Sequence, residues 1–152
     1  MVRANYYVNK FHADINVMKC TIEDVLAYYD GAFCGMDEET RTHLKVVLSE
    51  LLINAIKHGV KGNSTRYIKV VAGLISEDVA LLVIEDDGDG YDTAPLKRRR
   101  RAAPPGNRLD EIDETGRGIQ IVKSICDDFM VNEKGNKVVV NKKLHRVNVH
   151  AL

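Results

Sequence analysis

Apolar residues recur three or four positions apart in three stretches of the chain, and this spacing predicts three helices. They lie at 14–29, at 38–59 after Asp37, and at 116–126. The second is the clearest, because acidic residues fill its first turn and Gly59 provides a stop signal. Its core face is predicted to contain Leu44, Val47, Leu48, Leu51, Leu52 and Ala55.

Runs rich in β-branched and apolar residues predict five strands outside these helices. The strands are expected at 3–9, 67–75, 79–85, 129–133 and 137–144. Short polar turns join the second strand to the third and the fourth to the fifth, which predicts two hairpins. Between 93 and 114 the periodicity gives way to KRRRR, a proline pair and an acidic run. This composition is typical of a long loop, which we interpret as a lid.

The composition fits one globular domain that spans 1–152. The chain has 152 residues and a mass of 17.0 kDa. Of these residues 45% are hydrophobic and 29% are charged, as in soluble globular domains. Its 22 basic and 22 acidic side chains balance, so no overall field attracts nucleic acid or anionic membranes.

The chain lacks both a run of roughly 18 apolar residues and a signal-peptide core, which favours a cytoplasmic location. Cys20, Cys34 and Cys126 form no CxxC pair and are expected to be reduced thiols.

Glu50, Asn54 and His58 lie four residues apart on the second predicted helix, so they should project from one face. Carboxylate and amide oxygens suit magnesium, which usually takes one or two protein ligands beside phosphate oxygens. Asn54 is therefore the candidate metal ligand, Glu50 the candidate general base, and His58 a candidate contact to metal or phosphate. The alternative is an ordinary solvated face of an amphipathic helix.

Asp86, Gly88 and Gly90 follow directly on the apolar strand 79–85. Glycines at alternate positions permit positive φ and close approach to a flat ligand, and a carboxylate at a strand end can accept a hydrogen bond from an exocyclic amine. Asp86 is therefore the candidate residue for reading adenine. A plain acidic turn and a calcium loop are alternatives, although the distal bidentate glutamate of an EF-hand loop is missing.

The residues Thr115, Gly116, Arg117, Gly118 and Ile119 stand at the predicted start of the third helix. Free amides at a helix start can bind phosphate, glycines allow it to approach, and the arginine adds a charged donor. The threonine could instead act only as the helix N-cap. The chain contains neither a Walker GxxxxGK[ST] motif nor a strand that leads GxGxxG into a helix, so a phosphate site here needs another architecture.

The order of these three motifs resembles the N, G1 and G2 boxes of the Bergerat-type ATPases. Those boxes are E-x-x-x-N on a helix, D-x-G-x-G after a strand and G-x-G before a helix. The resemblance covers nearly the whole chain and is greatest to bacterial anti-sigma factor serine kinases. It implies an α/β fold of the α+β two-layer type, with helices on one face of a mostly antiparallel sheet and ATP between helices and lid. The matching positions are Glu50, Asn54, Asp86, Gly88, Gly90, Gly116 and Gly118, followed by Ile119 where leucine is commoner.

This resemblance implies a protein serine kinase that uses ATP and Mg²⁺. Its implied partners are a sigma factor, which it sequesters, and a small STAS-fold antagonist, which it phosphorylates on serine. In that reading Glu50 activates the serine hydroxyl, Asn54 holds magnesium, and Gly116 and Gly118 hold phosphate. Members of the group often form dimers, so a homodimer is a further expectation.

Other functions stay open at the level of sequence. ATP could gate a non-catalytic protein-binding module, or the chain could be a stand-alone histidine-kinase-like ATPase domain. The surroundings of His43 do not match a phosphoacceptor box, which argues against the second. The run from Lys97 to Arg101 could contact nucleic acid. We rank that low, because no aromatic residues interleave with the run and acidic residues follow it in the same loop.

Overall fold

Five antiparallel strands form one sheet in the computed structural model, which describes residues 5–90 and 114–148. In chain order they are β1 (Tyr7–His12), β2 (Tyr67–Leu74), β3 (Val79–Asp86), β4 (Asp128–Val131) and β5 (Lys137–Lys143). Their spatial order is β1-β2-β3-β5-β4, so β3 is central and pairs with β2 on one side and β5 on the other. The end of β3, which carries Asp86, is therefore held from both sides.

Helices pack on one face of this sheet. Within the described residues the α-helices are α1 (Ile15–Phe33), α2 (Glu38–Asn54) and α3 (Glu114–Ile125). Carboxylates begin the first two, because Asp14 Oδ1 accepts from the Asn16 amide at 2.6 Å and Asp37 Oδ1 accepts from the Thr40 amide at 2.8 Å. In the described part of the chain, no helix combines the length and the apolar character needed to cross a membrane.

The core lies between the sheet and the helices. On β3, Ala80, Leu82 and Ile84 are buried while the residues between them are half-buried, as the alternation of a strand requires. Asp86 occupies the next inward position and is buried as well. The predicted core face of the second helix is confirmed, since all of its members are buried: Leu44, Val47, Leu48, Leu51, Leu52 and Ala55.

Several predicted boundaries are wrong. The first strand was expected at 3–9, but β1 runs further along the chain because Phe11 is an inward-facing core residue paired with β2. Helix α1 continues beyond its predicted end because Phe33 is buried on the same face. Helix α3 begins at Glu114, which the sequence assigned to the lid, and the rest of the predicted lid, 93–113, lies outside the described residues.

All three cysteines are free, with Cys20 and Cys34 exposed and Cys126 buried. Burial raises the pKa of the Cys126 thiol to about 11. The thiol is therefore protonated at neutral pH and serves as a small apolar core group, which agrees with the expectation of a reduced thiol.

Tyr29 connects α1 to the central strand. Its side chain is fully buried, and its hydroxyl donates to the Leu81 carbonyl oxygen at 2.5 Å. Burial raises the pKa of Tyr29, so the hydroxyl keeps its proton and stays a donor. The adjacent Tyr28 makes a similar bond near the surface, to the Asn5 carbonyl oxygen at 2.7 Å.

We expect Tyr29→Phe to lower the free energy of unfolding by about 1–2 kcal/mol, because the Leu81 carbonyl loses a buried donor. Tyr28→Phe is the matched control and should change it by less than about 0.5 kcal/mol, since water can replace the exposed bond. Urea denaturation of the native protein and both variants measures the difference. Equal effects from the two substitutions would contradict the special role of the buried bond.

Candidate functional site

Three segments that are separate in sequence meet at one end of the sheet: the end of α2, the loop after β3 and the first turns of α3. Glu50 lies so close to Gly118 that a methyl group on this glycine would overlap the Glu50 carboxylate. The Asp86 carboxylate is equally close to Gly59. The structure therefore brings together residues from all three predicted motifs.

The end of the second helix departs from the sequence prediction of one continuous helix to Gly59. At Asn54 the α-helix gives way to a π-helical turn, Ala55–Gly59. Such turns are rare insertions into α-helices and are frequent at functional sites. Here the turn places the backbone of Gly59 against Gly88, where a methyl group would overlap the Gly59 carbonyl oxygen. The turn therefore joins the first motif to the second.

Asp86 is a carboxylate buried at the end of β3. Only 6% of its surface is exposed, and its Oδ1 accepts from the Gly88 amide at 2.9 Å. Burial raises the pKa of this carboxyl, and the bond from the Gly88 amide partly opposes the increase. The space for the carboxylate exists because Gly59 has no side chain, a role that sequence reasoning missed when it interpreted this glycine only as a helix stop signal.

A narrow cavity lies beside Asp86 and is lined by both layers of the fold. Its apolar walls come from Leu51, Ala55, Ile84, Ile119 and Val138, and its polar groups from Asn54, Asp86 and Asn136. The cavity has a volume of only about 20 Å³, so a base would have to widen it. Its apolar walls with one carboxylate at the end nevertheless match the chemistry of a flat base that carries an exocyclic amine. Sequence reasoning found Ile119 but missed Val138 and Asn136, because it identified their segment only as a closing hairpin.

A second, more open cavity of about 250 Å³ adjoins the first, and Asn54 lines both. Its other polar side chains are Glu50, Lys57, His58 and Arg117. The predicted residues Glu50 and His58 are thus in one cleft with the predicted Arg117, while Lys57 was missed. Two cations beside a carboxylate and an amide make a cleft that can bind a charged group and act on it.

Asn54 is a buried residue of this cleft whose hydrogen bonding is incomplete among the described residues. The residue is only 7% exposed, and its Nδ2 has no hydrogen-bond partner among the described residues. A buried polar group without a partner is costly, so one aimed into a cavity points to a group that completes it. An amide supplies one oxygen ligand for a metal and an N–H donor for a phosphate oxygen.

The chemistry of these residues fits Mg²⁺ bound together with phosphates. Among the described residues no cluster of three or more His, Cys, Asp or Glu side chains could hold a metal ion. A cation here would need most of its ligands from a bound anion and water, which is how magnesium usually binds beside a nucleotide.

The remaining predicted residues have more indirect positions. Gly90 has a φ of 84° and packs against the Lys134 carbonyl oxygen, where a methyl group would overlap. Gly116 lies in the first turn of α3, which begins two residues before the predicted start at 116. The alternative of Thr115 as the N-cap is wrong, because an N-cap precedes the helix and Thr115 lies within it.

Comparisons with known proteins agree with this geometry. A family model described as the histidine kinase-like ATPase domain matches residues 21–142. A serine-protein kinase RsbW of Bacillus licheniformis is 30% identical over 137 residues, which cover 89% of this chain and 81% of that protein. The RsbW of Staphylococcus aureus strain MSSA476 is 29% identical over 136 residues, and that of Oceanobacillus iheyensis is 27% identical over 109. These matches cover 89% and 72% of this chain, and 82% and 68% of the two relatives.

A solved structure supports the fold. The RsbU and RsbW domains of a Mycobacterium tuberculosis protein superpose with a TM-score of 0.60 at 14% identity, over 95% of this chain and 33% of that one. At this identity the likeness shows the fold alone, and it confirms the predicted two-layer α+β arrangement. The relatives named serine-protein kinases match the same chain. Because the family model matches most of its length, the chain belongs to the histidine kinase-like ATPase family, whose members use ATP.

Proposed function

We propose that the chain is an anti-sigma factor serine kinase, which sequesters a sigma factor and phosphorylates a STAS-domain antagonist on serine. One observation carries the proposal: the Glu50 carboxylate shares a cleft with Asn54 and Arg117, beside the cavity that ends at Asp86. A base, a metal ligand and a cation then surround the expected position of a terminal phosphate. The relatives named serine-protein kinases support kinase activity.

The adenine ring is assigned to the cavity beside Asp86. Leu51 and Ile119 give it apolar surfaces, and the buried carboxylate accepts a hydrogen bond from the exocyclic amine. Burial makes this bond more selective, because an incorrect base would leave a charged group without a partner in a site shielded from water. We therefore assign recognition of the base to Asp86.

The phosphates are assigned to the adjoining cleft. Lys57 and Arg117 line it and can offset phosphate charge, and His58 beside them can donate a hydrogen bond. Gly116 and Gly118 allow phosphate oxygens to approach the first turn of α3. Asn54 would hold Mg²⁺ through Oδ1, and the ion, when bound, supplies further charge neutralisation to the transferring group.

Glu50 is assigned as the general base. Its carboxylate would take the proton from the antagonist's serine hydroxyl while the serine oxygen bonds to the γ-phosphorus and the bond to the bridging oxygen of ADP breaks. Gly118 supports this assignment, because any larger residue would displace the Glu50 carboxylate. The close packing of α3 on α2 thus positions the base relative to the phosphates.

The proposal extends to organisation and location. Residues 1–152 are proposed as one ATPase domain, with 93–113 as its lid because Glu114 already belongs to α3, and a homodimer as its assembly. The family match over 21–142 supports the first of these. A sigma-factor partner would place the protein in the cytoplasm, without a need for nucleic acid or membrane contacts of its own.

We expect Asp86→Asn to reduce ATP affinity at least tenfold and to make the ligand-free protein more stable. The amide places an N–H donor where the adenine amine needs an acceptor, and it no longer carries a charge that burial penalises. Calorimetric titration with ATP and chemical denaturation at neutral pH measure the two effects. Asp87→Asn is the control for ATP affinity, because Asp87 is exposed and its Oδ1 accepts from the Tyr67 amide.

The stability gain of Asp86→Asn should depend on pH in a defined direction. Because burial raises the pKa of Asp86 above its ordinary value of 3.8, the folded protein resists ionisation that the unfolded chain accepts. The gain should therefore be absent below the unfolded pKa, appear as pH rises, and be complete above the folded pKa. A gain that shrinks as pH rises would contradict the buried carboxylate.

We expect Asn54→Ala to remove most of the increase in ATP affinity that Mg²⁺ produces, while affinity in the presence of EDTA changes little. Asn54→Asp is the matched variant and should keep the metal effect, since it keeps an oxygen ligand at the same position. Titrations with and without Mg²⁺ give the ratio of dissociation constants for each protein. Equal losses of affinity in both conditions would assign Asn54 a structural role instead.

We expect Glu50→Gln to lower phosphate transfer by about 10²- to 10⁴-fold with ATP affinity nearly unchanged, because only the proton acceptor is lost. Transfer from γ-labelled ATP with Mg²⁺ to small proteins of a host extract is the measurement. Glu39→Gln, in the exposed first turn of α2, is the control. ATP binding by the native protein without any transfer would instead favour the non-catalytic, ATP-gated module.

A further inference from the structure

The turn between β4 and β5 is organised by one side chain, that of Asn132. Its Oδ1 accepts from the backbone amides of Gly135 at 3.0 Å, Asn136 at 3.1 Å and Lys137 at 3.1 Å. Its Nδ2 donates to Asn136 Oδ1 at 2.7 Å. Asn132 therefore fixes both the backbone of the turn and the direction of the Asn136 side chain.

Asn136 in turn holds the main chain of Asp86 at two points. Its carbonyl oxygen accepts from the Asp86 amide at 2.9 Å, and its Nδ2 donates to the Asp86 carbonyl oxygen at 3.0 Å. The ladder between β3 and β5 ends with the pair Glu85 and Lys137, so the Asn136 side chain supplies the next donor in place of a backbone amide. Both main-chain polar groups of Asp86 are thus bonded to one residue.

The same turn also supports the loop beyond Asp86. The Lys134 carbonyl oxygen lies against Gly90, so closely that a methyl group on the glycine would overlap it. The loop is therefore supported by the turn at both of its ends, at Asp86 and at Gly90. Movement of the turn would move the carboxylate.

The direction of the Asp86 carboxylate depends strongly on its backbone. Among the described residues, the carboxylate accepts a local hydrogen bond, from the Gly88 amide two residues later. Hydrogen-bond strength falls steeply with poor alignment, so a small shift of the main chain would weaken a bond to the base. The two bonds from Asn136 are placed to prevent such a shift.

We propose that Asn132 is a positioning residue for base selection, which acts through Asn136 to hold Asp86 where its carboxylate selects a 6-aminopurine over a 6-oxopurine. The inference rests on the proposed nucleotide site and adds a residue outside its three motifs. Asn132 itself is exposed and acts on the base only through the two residues between. A 6-oxo group would place an acceptor against the carboxylate, so correct placement of Asp86 rejects it as well as favouring the amine.

The test is Asn132→Asp, which keeps an oxygen for the three backbone amides but replaces the donor to Asn136 with an acceptor. Titrations use ATP and inosine triphosphate, in which an oxo group replaces the 6-amino group. We expect ATP affinity to fall about 5- to 10-fold and affinity for inosine triphosphate to stay within about twofold, with little change in thermal midpoint. Asn63→Asp is the control, because Asn63 Oδ1 also accepts within its own turn, from the Thr65 amide at 3.0 Å.

A second variant tests the route of the effect. Asn136→Ala removes the donor to the Asp86 carbonyl and should lower the preference for ATP at least as much as Asn132→Asp. Adding Asn132→Asp to it should then cause no further change in the ratio of the two affinities, because the link is already broken. If Asn132→Asp fails to fold, Asn136→Ala alone still tests whether the turn sets the preference for ATP over inosine triphosphate.

Different outcomes separate the two levels of proposal. If the native protein binds ATP and both single variants keep its preference over inosine triphosphate, the inference is wrong while the nucleotide site stands. An equal loss of affinity for both nucleotides would likewise overturn it, since that result indicates only a structural role. Failure of the native protein to bind ATP would overturn the proposed function and the inference with it.

Discussion

The site depends on a backbone contact between the π-helical turn and the loop after β3. Gly59 and Gly88 approach through main-chain atoms, and the Asp86 carboxylate occupies the space that a side chain at Gly59 would take. Only glycine permits this approach without movement of the backbone. Asn54, the last residue of α2 before the turn, lines both the apolar cavity and the cleft that contains Lys57 and Arg117.

The same arrangement buries two polar groups that lower the stability of the ligand-free fold. The fold removes the Asp86 carboxylate from water, which raises its pKa, and it buries the Asn54 Nδ2 without a partner among the described residues. Both groups oppose folding by their own chemistry, and both are groups that a nucleotide with its cation can satisfy. A ligand that does so binds only the folded state and therefore stabilises it. Buried charges and buried polar groups without partners, such as these two, are concentrated at functional sites.

Much of the architecture could be predicted from the sequence because it follows from local patterns. The apolar spacing of α2 identified its buried face, and the strand that ends in Asp86 identified a carboxylate at the sheet end. The π-helical turn was missed, because an inserted residue in Ala55–Gly59 leaves no mark on an apolar spacing of three and four. Asn132 and Asn136 were missed because their role arises only when β5 pairs with β3, a contact between distant parts of the chain.

The alternation along β3 has a consequence for how the protein acquires its activity. Ala80, Leu82, Ile84 and Asp86 share the inward face, so the carboxylate that we propose for base recognition alternates in step with the core residues. A strand displaced by one residue would expose the apolar side chains and turn the carboxylate to the opposite surface. On the proposed assignment of Asp86, a chain with this strand out of register would therefore not recognise the base. Under that assignment, a molecule that binds the nucleotide has already assembled its sheet in the native register.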